Sequence, residues 1–338
     1  MLRRWLTHTF QTLILSVFLG ICVVAPLRAA VDFKEVLKSV VMVQAQVPSA
    51  ARTADRLGTT RQGSGVVIDD KGLILTIGYL VMEADQTSVV TALGNTIPAT
   101  PVAYDHTSGF GLVRALAPLG VGPLTLGSSA AMSEKSIALI MSLGESRPVT
   151  PVQVVSRRAF AGSWEYLLER AIYTMPAHRE FGGAALINDQ GQLVGIGSLF
   201  VSDAMGSDAL TPGNMFVPTD LLKPILADLL ANGRRTQASP PWLGIYTDAQ
   251  GGRVIVTRVA DAGPGQRAGI KAGDIVMGVG GRRVSDMVDF YQRVRDSGTA
   301  GAAIDIDLLP HGVGSLEIKK VTVTSEDRHD WLSKPQSH

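Results

Sequence analysis

Few side chains in the first two thirds of this 338-residue chain could carry hydrolytic chemistry. Between residues 31 and 232 the only histidines are His106 and His178, with Asp105 and Ser108 beside the first. A hydroxyl nucleophile needs an imidazole base in hydrogen-bond reach and a carboxylate to orient that base. No spacing of these four residues promises that, and they read as two surface-loop histidines and a turn serine. Two lone histidines with Asp105 are also a poor metal set, so no metal and no cofactor are expected. The other notable stretch runs from Glu180-Phe181-Gly182-Gly183-Ala184-Ala185-Leu186-Ile187-Asn188 to Gln190-Gly191-Gln192-Leu193-Val194-Gly195-Ile196. By itself Gly182-Gly183 before an apolar run is a tight turn.

The elements that would position these residues are mostly strands. From Gly63 to Leu229, short β-branched and apolar runs alternate with Gly, Pro, Asn and Asp, the texture of an all-β barrel or sandwich. Residues Gln62 to Thr76 form a hairpin around an Asp70-Lys71-Gly72 turn, and Val152–Ser156 and Leu193–Ile196 are further strands. Pro218-Thr219-Asp220 opens a predicted helix with Leu221, Leu222, Ile225, Leu226, Leu229 and Leu230 on one face, stopped by Asn232-Gly233. The polar, then proline-rich segment 233–241 is a linker. Beyond it, Val254 to Val259, Ile304 to Leu308 and Ile318 to Val323 read as strands. A helix spans Asp286 to Ser297, with Ser285 as its N-cap and Met287, Tyr291 and Val294 on one face.

The Glu180–Ile196 stretch aligns without a gap to the nucleophile loop of chymotrypsin-type serine proteases. With the hairpin and the Phe216-Val217-Pro218 helix entry, the first region resembles the protease domain of the exported HtrA/Deg family. The resemblance implies a chymotrypsin-like double β-barrel. It also implies three triad positions, and all three are lost: Tyr79 stands for the histidine, Gly109 for the aspartate and Gly182 for the serine. A phenol that titrates near 10 is no substitute for imidazole as general base, and glycine offers neither nucleophile nor orienting carboxylate. The oxyanion loop is altered too, with Glu180 where the family has glycine, followed by Phe181. A carboxylate there would oppose stabilisation of the oxyanion. Tyr79 and Phe181 are expected to fill space that a working cleft leaves open.

The second region resembles an HtrA-type PDZ domain, most specifically over Gly263-Pro264-Gly265-Gln266-Arg267-Ala268-Gly269-Ile270-Lys271-Ala272-Gly273-Asp274-Ile275-Val276. By this resemblance Trp242, Leu243, Gly244 and Ile245 form a carboxylate-binding loop. A peptide would add as a strand beside Ile245, against Met287, Tyr291 and Val294 of the helix.

The N-terminus has the plan of a secretory signal peptide: Arg3 and Arg4, the uncharged run Leu13 to Leu27, then Arg28-Ala29-Ala30. An uncleaved anchor in the inner membrane is the alternative, although the run is shorter than the roughly 20 residues of a membrane span. Cleavage would remove three arginines and the single cysteine, Cys22, leaving 28 basic against 30 acidic residues and no thiol chemistry. A nearly neutral chain gives no electrostatic case for nucleic acid. The expected organisation is 1–30 signal peptide, 31–232 trypsin-like domain, 233–241 linker, 242–328 PDZ domain and 329–338 tail. The leading functional reading is a periplasmic or otherwise exported pseudoprotease that binds peptides or protein C-termini as scaffold, adaptor or regulator. The alternatives are an active serine endopeptidase and a structural subunit, either a homo-oligomer such as a trimer or a partner of active HtrA-type proteases.

Overall fold

The computed structural model describes residues 31–144, 148–206, 209–312 and 317–333. Residues 1–30, and with them the signal-peptide or anchor expectation and Cys22, lie outside the described residues.

Six antiparallel strands form a first closed barrel: β1 (Val40–Gln46), β2 (Thr60–Val67), β3 (Leu73–Ile77), β4 (Gln86–Val90), β5 (Thr96–Tyr104) and β6 (Phe110–Ala115), in the order β1-β2-β3-β6-β5-β4. A second follows: β7 (Ile137–Met141), β8 (Val149–Gly162), β9 (Tyr166–Met175), β10 (Ala185–Ile187), β11 (Leu193–Val201) and β12 (Gly213–Pro218), in the order β10-β11-β12-β9-β8-β7. Strands β3, β10 and β12 are buried at every position, so they are largely apolar without alternation, and the polar Thr76 and Asn214 within them are buried too. The mostly β, double-barrel expectation is met.

The C-terminal sheet contains β13 (Ile245–Gln250), β14 (Arg253–Val259), β15 (Ile275–Val279), β16 (Arg282–Arg283), β17 (Ala303–Leu309) and β18 (Lys319–Thr324). Its order is β13-β14-β15-β17-β18, so β13 is an edge strand, and β16 pairs with β15. In β17, buried Ile304, Ile306 and Leu308 alternate with Asp305 and Asp307, as the period of two requires.

Two local expectations need correction. The helix predicted from residue 219 is broken into a 3-10 turn, Thr219–Leu221, and an α-helix, Leu226–Asn232. Pro224 lacks the N–H that would continue the ladder and disfavours helical backbone at Lys223. Asp220 is further held by Ser129 Oγ (2.8 Å) and the Ala130 N–H (2.8 Å). The Met287–Asp296 helix is capped by Asp286, whose carboxylate accepts from the Asp289 N–H at 2.9 Å, and not by Ser285.

The β8–β9 hairpin runs on past its barrel. Gly162 pairs with Tyr166, which leaves a three-residue turn of Ser163, Trp164 and Glu165. Glu165 sits in the left-handed region at φ 59°, the place in such turns usually taken by glycine. Near the tip, Ala161 and Leu167 pack into the hydrophobic core of the C-terminal sheet. The 233–241 segment is fastened as well: Arg235 makes a bidentate ion pair with Asp105 (2.6 and 2.7 Å), and Ser239 Oγ donates to Asp327 (2.7 Å).

Candidate functional site

Tyr79, Gly109 and Gly182, the positions the resemblance assigns to a triad, lie on backbone segments tied to their neighbours by main-chain hydrogen bonds. Gly78 N–H donates to Gly109 O at 2.7 Å, joining the segment that carries Tyr79 to the turn before β6. Ser64 N–H donates to Gly182 O at 2.8 Å and fixes the nucleophile loop on β2. Gly183, at φ 74°, lies so close to Ser64 O that any Cβ would overlap it.

Two phenols stand against these positions. Tyr79 Oη donates to Ser198 O at 3.0 Å and stands 2.9 Å from the position of a Cβ on residue 182. A serine side chain would have to share that space. Burial pushes the Tyr79 phenol up, which keeps it a neutral donor at physiological pH and removes it further from a base's role. Gly109 has φ 82°, and a Cβ there would lie 2.9 Å from Tyr166 Oη. That phenol, itself pushed up by burial, donates to Ser108 O at 2.5 Å and closes the space an aspartate would need.

Tyr79 and Phe181 line the cleft and do not fill it, contrary to expectation. A cavity of about 420 Å³ remains, with Trp164, Tyr166 and Tyr246 among its other walls. The Glu180 carboxylate is held by Ser142. Its Oε2 accepts from Ser142 Oγ at 3.1 Å, and Gly144 makes room, since a Cβ there would overlap the carboxylate.

Neither histidine is a surface-loop residue. His178 is 5% exposed and lies between Ser142 Oγ (2.9 Å from Nε2) and Thr150 Oγ1 (2.9 Å from Nδ1). Ser142 has one proton and gives it to Glu180, so Nε2 of His178 donates to that oxygen and does not deprotonate it. With Ser142 fully buried, this Ser–His pair is not an activated nucleophile. His106 packs edge-on between Tyr104 (4.3 Å) and His329 (4.2 Å), and neither ring nitrogen has a hydrogen-bond partner among the described residues. Burial, then Arg328 and His329, hold it well below the ordinary histidine value, so the ring is neutral. Asp105 is tied to Arg235 and to Ser108, whose hydroxyl and N–H both reach Oδ2. Burial would raise this carboxyl, and the guanidinium and Ser108 outweigh it, leaving it below the usual range. Among the described residues there is no cluster of three or more metal-ligating side chains.

Of the residues expected to bind peptide, Leu243, Ile245, Met287, Tyr291 and Val294 share one hydrophobic cluster with Leu167, and Trp242 lies in a separate one with Ala260 and Trp331. Trp242 pairs through its backbone with Glu326 and packs its ring on Trp331 at 4.7 Å. Gly244 is left-handed at φ 71°, which turns the amides on either side toward one point. At that point lies the Glu165 carboxylate, accepting from Leu243 N–H and Ile245 N–H, each at 2.8 Å. Met287, Tyr291 and Val294 are buried in the same hydrophobic cluster as Leu167. Tyr291 Oη meets Thr247 Oγ1 at 2.6 Å and accepts from the Glu165 N–H at 3.4 Å. Sequence reasoning missed Glu165 and Tyr166. A three-residue turn was readable between Gly162 and Tyr166, but nothing in it says what the turn touches.

Residues 63–196 match the trypsin-like peptidase domain family, and residues 241–312 match the PDZ domain family. The serine protease PepD of Mycobacterium tuberculosis is 28% identical over 299 residues, covering 81% of this chain and 63% of that one. The serine endoprotease DegS of Haemophilus influenzae is 26% identical, covering 66% of each. The periplasmic serine endoprotease DegP of Escherichia coli is 26% identical, covering 74% of this chain and 54% of that one. The chain thus spans between about half and two thirds of the length of these relatives. Among solved structures, the HtrA-type protease AlgW with tripeptide superposes with a TM-score of 0.52 at 20% identity, covering 88% of this chain and 97% of that one. The chain is thus similar to a trypsin-like peptidase domain over residues 63–196 and to a PDZ domain over residues 241–312, in the double-barrel-plus-PDZ fold of the HtrA-type proteases.

Proposed function

We propose that this protein binds polypeptides and does not cut them: a pseudoprotease whose PDZ groove recognises peptides or protein C-termini, acting as scaffold, adaptor or regulator. The observation that carries this reading is the Tyr79 phenol set against Gly182, with no serine hydroxyl, imidazole or carboxylate at the three positions the resemblance assigns to a triad. Retention of the amide loop around Gly244 supports the binding half. An exported location fits the sequence of residues 1–30 and the periplasmic name of the DegP relative. Assembly as a trimer, or with active HtrA-type proteases, belongs to the same reading.

A second reading, a serine endopeptidase of protein quality control, is favoured by the names of the relatives, which are serine proteases. It requires an activated nucleophile, and Ser142, which is hydrogen-bonded to His178, is fully buried and gives its proton to Glu180.

The binding half is tested with the chain from residue 31 onward and a pool of octapeptides carrying free C-terminal carboxylates. Amidating the pool should weaken binding by about 1 to 3 kcal/mol, the range for leaving buried donors unpaired. Equal affinity for the free and amidated pools would remove the C-terminal reading.

A further inference from the structure

The loop that would take a peptide's carboxylate already holds one from the same chain. Glu165 Oε2 and Oε1 accept from the amides of Leu243 and Ile245 at 2.8 Å each, a fork across Gly244. The contact continues along the edge of β13: Thr247 N–H, two residues on and on the same side of the strand, donates to Ser163 O at 2.9 Å. A main-chain bond to an edge strand, a carboxylate in the amide loop and an apolar side chain in the adjoining core are the three contacts a bound peptide makes. Here the hairpin tip supplies all three, with Leu167, 3% exposed, as the apolar anchor.

We infer that Glu165 is the internal ligand of the PDZ carboxylate loop, so that the β8–β9 hairpin and a C-terminal peptide compete for one groove. The competition rests on the peptide-binding reading above; the internal ligation does not. Backbone strain points the same way. A non-glycine residue at φ 59° costs stability, and the turn tolerates it because glycine or asparagine there could not supply a carboxylate reaching both amides. The occupancy also reaches the dismantled cleft. Trp164 and Tyr166, on either side of Glu165, stack at 5.5 Å in the cavity wall, and Tyr166 is the residue that closes the Gly109 position. Displacing the tip therefore disturbs the cleft.

The test uses the chain from residue 31 with Glu165→Ala, which removes the ligand, and with Glu165→Asp, too short to reach both amides. Two readouts are taken: the amide resonances of Leu243 and Ile245, and titration with a fluorescein-labelled decapeptide pool, random over its last four positions, with free C-terminal carboxylates. Both variants should move the two amides upfield and bind the pool about tenfold more tightly, because a site that is open one tenth of the time loses that factor in apparent affinity. Unchanged amides in both folded variants overturn the inference, whatever the peptide does. Shifted amides with no peptide bound by any form support Glu165 as the loop's ligand and sink the C-terminal reading instead.

Discussion

The phenol oxygen of Tyr79 lies 2.9 Å from the place a Cβ would take on Gly182. A side chain on residue 182 would therefore require the Tyr79 phenol to shift, so the two positions are coupled sterically.

Restoring the triad by Tyr79→His, Gly109→Asp and Gly182→Ser should leave the protein without measurable casein cleavage. The obstacle is residue 109, where left-handed backbone at φ 82° costs a non-glycine residue about 1 to 2 kcal/mol, and Tyr166 Oη stands 2.9 Å from the new Cβ. Gly109→Asp alone should lower the urea midpoint with an unchanged m-value. Cleavage by the triple variant at the level of an active protease would show that the site adapts around Tyr166.

The Asp105–Arg235 pair should be costly to break from one side only. Asp105 is buried, and removing Arg235 leaves its charge uncompensated, which places Arg235→Ala at about 3 kcal/mol. The double variant Asp105→Asn, Arg235→Gln should lose less than the two singles combined. Because the folded carboxyl is depressed, its contribution is present above the ordinary Asp value near 3.8 and is lost as pH falls through the folded value. Equilibrium unfolding between pH 2 and 6, with and without Arg235→Ala, measures this.

Peptide binding should tighten as pH rises from about 4.5 to about 7 and then level off. Burial pushes the docked Glu165 carboxyl from an ordinary 4.5 up to about 7, against the pull of the loop amides and Arg328. Its raised value means docking is favoured at low pH and weakens as pH climbs, so release of the tip becomes easier. Tyr291 from the helix, Arg328 from the C-terminal segment, and Arg235, Arg295, Asp327 and His329 around the adjoining small cavity face the same group. The difference between wild type and Glu165→Ala across this range isolates Glu165. A wild-type profile parallel to that of the variant would contradict the assignment.

Gly244→Val should abolish peptide binding and destabilise the PDZ domain by about 1 to 3 kcal/mol, the cost of a β-branched residue forced into left-handed backbone. A Cβ there would lie 3.1 Å from Pro264 and 3.3 Å from Trp242. Thermal unfolding of Gly244→Val beside wild type, with the decapeptide titration, checks both effects.

How much of this was legible in the sequence depended on range. The alternation in β17 and the largely apolar run of β3 report burial directly, and Gly183 is required because its backbone approach to Ser64 admits nothing larger. The fate of His106, His178 and Glu165 was not legible. Each is polar, in or beside a turn, and local pattern assigns such residues to solvent. Their burial comes from partners 28 to 223 positions away: Thr150 and Ser142 for His178, Leu243 and Ile245 for Glu165, His329 for His106. No periodicity encodes those meetings. Pro224 was legible and decisive, and the apolar spacing around it pointed to a helix only when that residue was ignored.

The central claim, that the cleft no longer performs acyl chemistry, is tested most directly by intact-mass spectrometry of the chain from residue 31 after exposure to a fluorophosphonate, with unfolded casein incubated in parallel. The expected result is no added mass on the protein and intact casein, in wild type and in Glu165→Ala alike. A single fluorophosphonate adduct on a serine, together with casein fragments that the probe suppresses, would contradict the account and establish a nucleophile outside the three triad positions.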